Sequence, residues 1–475
     1  MNRRRVQNVM IKPTHDCNMN CDYCFVEGLT KKYREQRMSL DILNETYRVL
    51  SNSAEEVKII WHGGEPTVAG VQWYKDAIEL SYLYSDKTKF EHSMQSNGLL
   101  INEDWIDLIK NYGVDICISF DGLFQDFRKK GTKDIVERNL LEMKKHLPRV
   151  GGLSVITEYS YKGIIDNYKY FRKLGVDTSF NYGINGKYDE RGNFEGIPLE
   201  EYLKEYIKYF KYWINDKDGY LERSTITLIN RVFGIRGGSC STSDCRYKWV
   251  NINPDGSTSH CNRYFPEELG MGLIKNASNV DDLYATSGYK KFSDLAQSRI
   301  TLDCTSCEYL TYCKGGCNSE HLMNSGNIHT ADKSYCERFK SEFVNVYKVL
   351  KSIDIYNNTN LNLEFLRILN RGVYTFREIR DFLTSFGLDT SNLRINETNL
   401  HQSSEFKLFR VFNPLSEDPD TGHTDAITTN SVSPFKIHEA ISSGEFRFKR
   451  EIEMRKILDN KRGEILKILG GEMVD

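Results

Sequence analysis

The sequence has no excess of one charge: 64 basic side chains stand against 66 acidic ones, leaving a net charge of −2 over 475 residues. That balance gives no global field to attract nucleic acid or an anionic membrane, and neither is expected as a partner. No run of about 18 apolar residues occurs, so no transmembrane helix is expected. Arg3, Arg4 and Arg5 are followed by a stretch too short and polar for a signal-peptide core, and the expected compartment is the cytoplasm. Cysteine, at 12 residues, is too sparse for a secreted disulfide scaffold. It is absent after Cys336. Hydrophobic content of 39% and charged content of 27% fit an ordinary globular chain, whose length allows two or three domains.

The cysteines that are present fall into groups. Cys17, Cys21 and Cys24 follow the apolar run Val9-Met10-Ile11 in a C-x3-C-x2-C spacing. Thiolates suit iron-sulfur clusters, zinc or copper(I), and structural zinc normally adds a fourth Cys or His close by. His15 is the one nearby candidate, giving a zinc knuckle as the alternative. A fully ligated cubane takes four thiolates, so three would leave one iron open to an outside ligand. A second region holds Cys240, Cys245 and Cys261, then Cys304, Cys307, Cys313 and Cys317 in a C-x2-C-x5-C-x3-C run, then Cys336. Those eight thiols support one or two four-coordinate sites, iron-sulfur or zinc. Cys117, in the apolar stretch Val114 to Ile118, reads as a buried core cysteine.

From residue 8 to about 215, short β-branched runs alternate with amphipathic stretches. Strands are expected near 8–13, 57–62, 90–95, 114–120, 150–157 and 178–183. Helices are expected near 39–51, 71–83, 103–112, 133–146, 162–174 and 199–215. Six β-α units make either a partial barrel or an open doubly wound sheet, and in both the functional groups gather at the C-terminal strand ends. There stand the cysteine loop, His62-Gly63-Gly64-Glu65-Pro66, Gln95-Ser96-Asn97-Gly98 and Ser119-Phe120-Asp121-Gly122. Each alone is turn punctuation. Four in succession behind a three-cysteine loop are harder to assign to turns.

The cysteine loop resembles that of the radical SAM enzymes, and Cys240 to Cys336 resembles the SPASM domain, with Asn253-Pro254-Asp255-Gly256 before Cys261 and the Cys313-Lys314-Gly315-Gly316-Cys317 loop. The resemblance favours the partial barrel and covers roughly residues 6 to 350. It implies that S-adenosylmethionine (SAM) occupies the open iron of a cluster on Cys17, Cys21 and Cys24, and that its reductive cleavage yields a radical that abstracts hydrogen from substrate. It implies two auxiliary [4Fe-4S] clusters, one on Cys240, Cys245, Cys261 and Cys317 and the other on Cys304, Cys307, Cys313 and Cys336, making three in all. It also implies that the Gly63-Gly64-Glu65 segment beside His62 takes the methionyl amine, and that Asn97 and Ser119 serve ribose or carboxylate. Phe25 would face adenine and Arg128 would pair with the methionyl carboxylate. The implied partners are a peptide or protein substrate and a reductant such as flavodoxin or ferredoxin. The expected activity is that of a peptide or protein maturase. The alternatives are an anaerobic sulfatase-maturating enzyme and a non-catalytic metal-binding or sensing protein. Against the sulfatase reading, those enzymes carry an aspartate after the cysteine where Asn262 stands here, and an amide cannot accept a proton as a carboxylate can.

The expected fold is therefore α/β: a partial (β/α)6 barrel over 1–235, a Cys-rich SPASM domain over 236–350 and an α-rich module over 351–475. Residues 184–198 form a polar, glycine-rich loop, read as a lid or a surface connection. In the last module, Leu361 to Phe386 reads as two amphipathic helices with Leu363, Leu366, Ile368, Phe376, Ile379, Phe382 and Leu383 buried. Asn413 to Pro434 reads as a long loop, and a final helix is expected from about 446 to 469, with Met454, Leu458, Ile465 and Leu469 on one face. The module reads either as a structural cap or as a peptide-recognition element.

Overall fold

The computed structural model describes residues 3–21, 23–24, 34–183, 187–188, 194–217, 219, 221–232, 240, 245–263, 267–353, 360–362 and 364–365, with the short segments 394–395, 400–401, 408–411 and 426–429. Strands β1 (Arg4–Ile11), β2 (Ala54–Trp61), β3 (Lys89–Ser96), β4 (Asp115–Ser119), β5 (Gly151–Ile156) and β6 (Asp177–Tyr182) pair in sequence order, each parallel to the next. A doubly wound sheet reverses strand order at a switch point, whereas these strands run round in one direction, the path of a barrel. The six expected strands and the helices between them are all present. The helices include α1 (Leu40–Ser53), α2 (Val71–Ser81), α3 (Glu103–Tyr112), α4 (Lys133–His146), α5 (Ile164–Leu174) and α6 (Leu199–Ile214).

Alternation along the strands decides which face does what, because successive side chains point to opposite faces. Val9, Ile11, Ile59, Trp61, Met94, Ile116, Ile118, Ile156 and Phe180 are buried. Helices cover this face, with Tyr74 of α2 edge-on to Trp61 at 5.3 Å and Phe171 of α5 edge-on to Phe180 at 5.9 Å. The intervening residues, among them Met10, Gln95, Ser119, Leu153 and Val155, are only half-buried and turn inward to a cavity. Cys117 lies on the inward face of β4, two residues before Ser119, and is half-buried, so it is not the fully buried core cysteine expected from its apolar flanks. Helix ends are set locally. Ser39 accepts from Ile42 N and Asn102 accepts from Trp105 N, each cap contributing about 1 kcal/mol, and Gly113 closes α3 in the left-handed region at φ 64°.

The sheet extends past the six expected strands. Strand β7 (Trp249–Ile252) adds parallel to β1, with Val9 opposite Val250, and β8 (Thr258–Ser259) adds antiparallel to β7. The chain divides into two compact units, one of Met1–Glu205 with Cys240–Phe339, the other of Tyr206–Ser239 with Lys340–Asp475. In the second unit Tyr209, Phe210, Trp213, Ile229, Val346, Leu361 and Phe365 are buried. Asn362 ties its strand of chain to α6 there, donating from N to Ile214 O at 2.9 Å and from Nδ2 to Trp213 O at 3.1 Å.

The module after residue 351 differs from the expectation where it is described: it contains strands. Arg394–Ile395 pairs with Leu400–His401, and Leu408–Val411 with Ala426–Thr429, which falls inside the expected loop 413–434. Leu363, Leu366, Ile368, Phe376, Ile379, Phe382 and Leu383, with the helix expected at 446–469, lie outside the described residues. In the glycine-rich loop 184–198, Lys187–Tyr188 pairs antiparallel with Phe194–Glu195. No helix among the described residues is long and apolar enough to cross a membrane.

Candidate active site

The cysteine loop leaves the end of β1 and lies against the end of β2. His62 N donates to Ile11 O at 2.9 Å, Gly64 N to Thr14 O at 3.2 Å and Glu65 N to Asp16 O at 2.8 Å. This approach explains the glycine pair. A Cβ on Gly63, whose φ is +129°, would meet Thr14 O at 2.3 Å, and one on Gly64 would meet His15 O and Asp16 O at 2.3 Å. Any side chain there would push the cysteine loop off the strand.

Glu65 is buried and satisfied from several sides. Its Oε1 accepts from Thr67 N at 3.0 Å, Thr67 Oγ1 at 2.6 Å and Ser96 Oγ at 2.8 Å, and its Oε2 accepts from Asn97 N at 2.7 Å. Burial raises its pKa while these donors pull it down, and burial prevails. Oε2 keeps acceptor capacity for a cation. Asn97 Nδ2 donates to Asn18 Oδ1 at 2.7 Å, joining β3 to the cysteine loop, and Gln95 Nε2 donates to Ser119 Oγ at 2.8 Å.

Arg128 ends the short helix Gln125–Arg128 after β4, with its guanidinium carbon 5.7 Å from the centre of the Tyr23 ring. The Tyr23 hydroxyl donates to Asp121, whose Oδ1 also accepts from Val155 N at 2.8 Å. Burial works against the Arg128 charge, but Tyr23, Asp121 and Cys21 more than offset it and hold the guanidinium protonated. The cysteine loop is thus pinned from two strand ends through Tyr23 and Asn18, neither of which was singled out from sequence. The signal for Tyr23 was its place between Cys21 and Cys24.

One cavity of about 330 Å3 collects these groups. Cys17, Cys21, Cys24, His62, Gly63, Gly64, Glu65, Asn97, Ser119 and Arg128 line it, together with Cys240, Cys245, Cys261 and Cys317. The strand pairing of β7 with β1 carries the region of Cys245 and Cys261 to the barrel mouth. Cys304, Cys307, Cys313 and Cys336 do not line this cavity, and Phe25 lies outside the described residues. His15, the candidate fourth zinc ligand, is fully buried and absent from the cavity wall, its pKa lowered by burial to about 3. His62 Nδ1 accepts from Gly63 N at 2.8 Å, and burial lowers its pKa to about 4, so it is neutral and keeps its proton on Nε2.

Sequence reading also passed over two cations beside the second set of thiols. Lys12 is 1% exposed and donates from Nζ to Asn262 O at 3.0 Å. Arg263 lines the cavity and donates from Nη1 to Cys317 Sγ at 3.7 Å. Buried cations facing thiols suit a donor set that binds as thiolates, since an uncompensated buried charge is costly. Among the described residues no three His, Cys, Asp or Glu side chains converge as ligands of one metal ion.

The fold and cavity define an α/β enzyme that works at the mouth of a partial barrel under a thiol-rich loop. Residues 11–193 match the model of the radical SAM superfamily. It is 28% identical over 359 residues to a cysteine-type anaerobic sulfatase-maturating enzyme of Clostridium novyi, covering 71% of this chain and 94% of the relative. A serine-type enzyme of Bacteroides thetaiotaomicron is 22% identical, over 71% of this chain and 89% of its own length. Among solved structures, anSMEcpe with bound AdoMet and the Cp18Cys peptide shares the fold with TM-score 0.64 at 24% identity, over 73% of this chain and 98% of that one.

Proposed function

We propose that this enzyme modifies a residue of a peptide or protein substrate by radical SAM chemistry. In this reading Cys17, Cys21 and Cys24 hold the SAM-binding [4Fe-4S] cluster. Auxiliary clusters sit on Cys240, Cys245, Cys261 and Cys317 and on Cys304, Cys307, Cys313 and Cys336. The observation that carries the proposal is the single cavity lined by both the three-cysteine loop and four further thiols. When bound and reduced, that cluster would supply the electron for reductive cleavage of SAM and so the means of removing hydrogen from the substrate. Glu65 Oε2 offers its remaining acceptor capacity to the methionyl amine, Arg128 its fork to the carboxylate, and Asn97 and Ser119 neutral partners. Electrons would come from a flavodoxin- or ferredoxin-type reductant.

The relatives favour a finer reading, oxidation of Cys or Ser to formylglycine on a sulfatase. The cavity speaks for another outcome, such as a crosslink, an epimerised centre or a different oxidation. Glu65 is the one carboxylate among the described residues that line it, and its oxygens already accept four bonds. Asn262, buried and on the wall, stands where the sulfatase maturases carry an aspartate. General-base help is worth about 10²- to 10⁴-fold.

The test is anaerobic reconstitution followed by incubation with SAM, dithionite and a sulfatase-derived peptide. We expect about 12 iron per chain, three cubanes. We expect 5'-deoxyadenosine to accumulate with little formylglycine, and formylglycine to rise in Asn262→Asp. Rapid conversion by the unaltered enzyme would favour the sulfatase reading, and stoichiometric zinc in place of iron would defeat both.

A further inference from the structure

We infer that Arg263 and Lys12 set the reduction potential of the centre on Cys240, Cys245, Cys261 and Cys317, raising it so that this centre accepts an electron readily. The inference rests on the reading of those four thiols as a cluster.

Arg263 directly follows Asn262, shares the cavity wall with the four thiols and touches one of them. Its Nη1 lies 3.7 Å from Cys317 Sγ, and its charge is felt at Cys240 and Cys261. Glu320 acts on it electrostatically and is itself paired with Arg338 at 2.6 Å, with side chains only 6% and 13% exposed. Arg338 in turn lies 4.1 Å over the ring of Tyr182, a residue of the cavity wall. Charges of alternating sign, Arg263, Glu320 and Arg338, thus run from the thiols to the cavity wall.

Lys12 directly follows the end of β1 and lies against the segment after Cys261. Its ammonium donates to the carbonyl of Asn262, the residue after Cys261. A neutral carbonyl does not compensate a buried charge. Burial lowers the Lys12 pKa to about 8, and the negative charge of Cys261 acts the other way and favours the ammonium, as an anionic cluster on that cysteine would. Two polar groups complete the surroundings of Cys245: Asn318 Nδ2 donates to its sulfur at 3.6 Å, and His260 Nε2 lies 3.3 Å from it.

A four-thiolate cubane becomes more negative on reduction. Cations and N–H donors at its sulfurs stabilise the reduced form more than the oxidised one, and in a buried site this is weakly screened. Removing either cation should therefore lower the midpoint of one auxiliary centre and leave the others in place.

Redox titration of the reconstituted holoenzyme, followed by EPR, tests this. In Arg263→Gln one midpoint should fall by about tenfold in the reduction equilibrium, about 59 mV for one electron. Lys12→Met should move the same signal in the same direction, and Arg263→Lys, which keeps the charge, should move it less. If Arg263→Gln loses iron, Lys12→Met and Arg263→Lys carry the comparison. Unchanged midpoints in both charge-removing variants at full iron content would overturn the inference. A wild-type enzyme holding fewer than three clusters would instead remove the reading on which it rests.

Discussion

Glu65 shows how one side chain serves both fold and site. Four donors from Thr67, Ser96 and Asn97 tie it between the ends of β2 and β3, yet burial still raises its pKa. A raised pKa means that the folded chain takes up this proton more readily than the unfolded one as pH falls. The carboxylate needed by a cationic ligand is then lost at a pH above the ordinary glutamate value of about 4.3. SAM affinity, measured by anaerobic equilibrium dialysis, should fall as pH is lowered through that raised value, whereas Glu65→Gln should bind weakly with no such pH dependence. A wild-type affinity that stays flat down to the ordinary glutamate range would refute the assignment. The residue type and place of Glu65 were legible in sequence because it follows a glycine pair at a strand end. The use of those glycines was not, since the close approach they permit is that of the cysteine loop's own carbonyls. Lys12 and Arg263 were invisible for a different reason: each sits beside a motif without belonging to its spacing, and only folding sets them against the thiols.

Among the elements, the six β-α units were readable because the period of two in the strands and the helical period between them are local signals. The seventh strand was not. Trp249–Ile252 is only four residues long, and its partner β1 lies far away in sequence, so nothing local announces the pairing. That pairing matters functionally, because β7 connects the region of Cys245 to the turn before Cys261 while lying between β1 and β8. Val250 is fully buried opposite Val9. Proline there removes a backbone donor and is poorly tolerated within a sheet. Val250→Pro should lose the iron of one cubane, about four of about twelve, while uncoupled 5'-deoxyadenosine formation continues. Full iron content in that variant would show that the β7–β1 ladder does not hold the four-thiol set in place.

For the whole molecule, the open question is what residues 351–475 do, and the division into two units bears on it. All eleven proposed ligand cysteines fall in the first unit, while Lys340–Asp475 groups with Tyr206–Ser239 in the second. Asn362 caps that grouping with two hydrogen bonds to the end of α6, and net contributions of about 1 kcal/mol each are typical. Leu361 and Phe365 are buried, as are Tyr209, Phe210 and Trp213 on α6. Truncation at about residue 350 would remove Leu361, Phe365 and the hydrogen bonds of Asn362, uncovering apolar surface that favours aggregation. We therefore expect the truncated chain to lose solubility and iron together, checked by sedimentation and iron content after reconstitution. A soluble truncation with full iron and normal uncoupled SAM cleavage, impaired only in turnover of peptide, would instead make this module the element that recognises substrate.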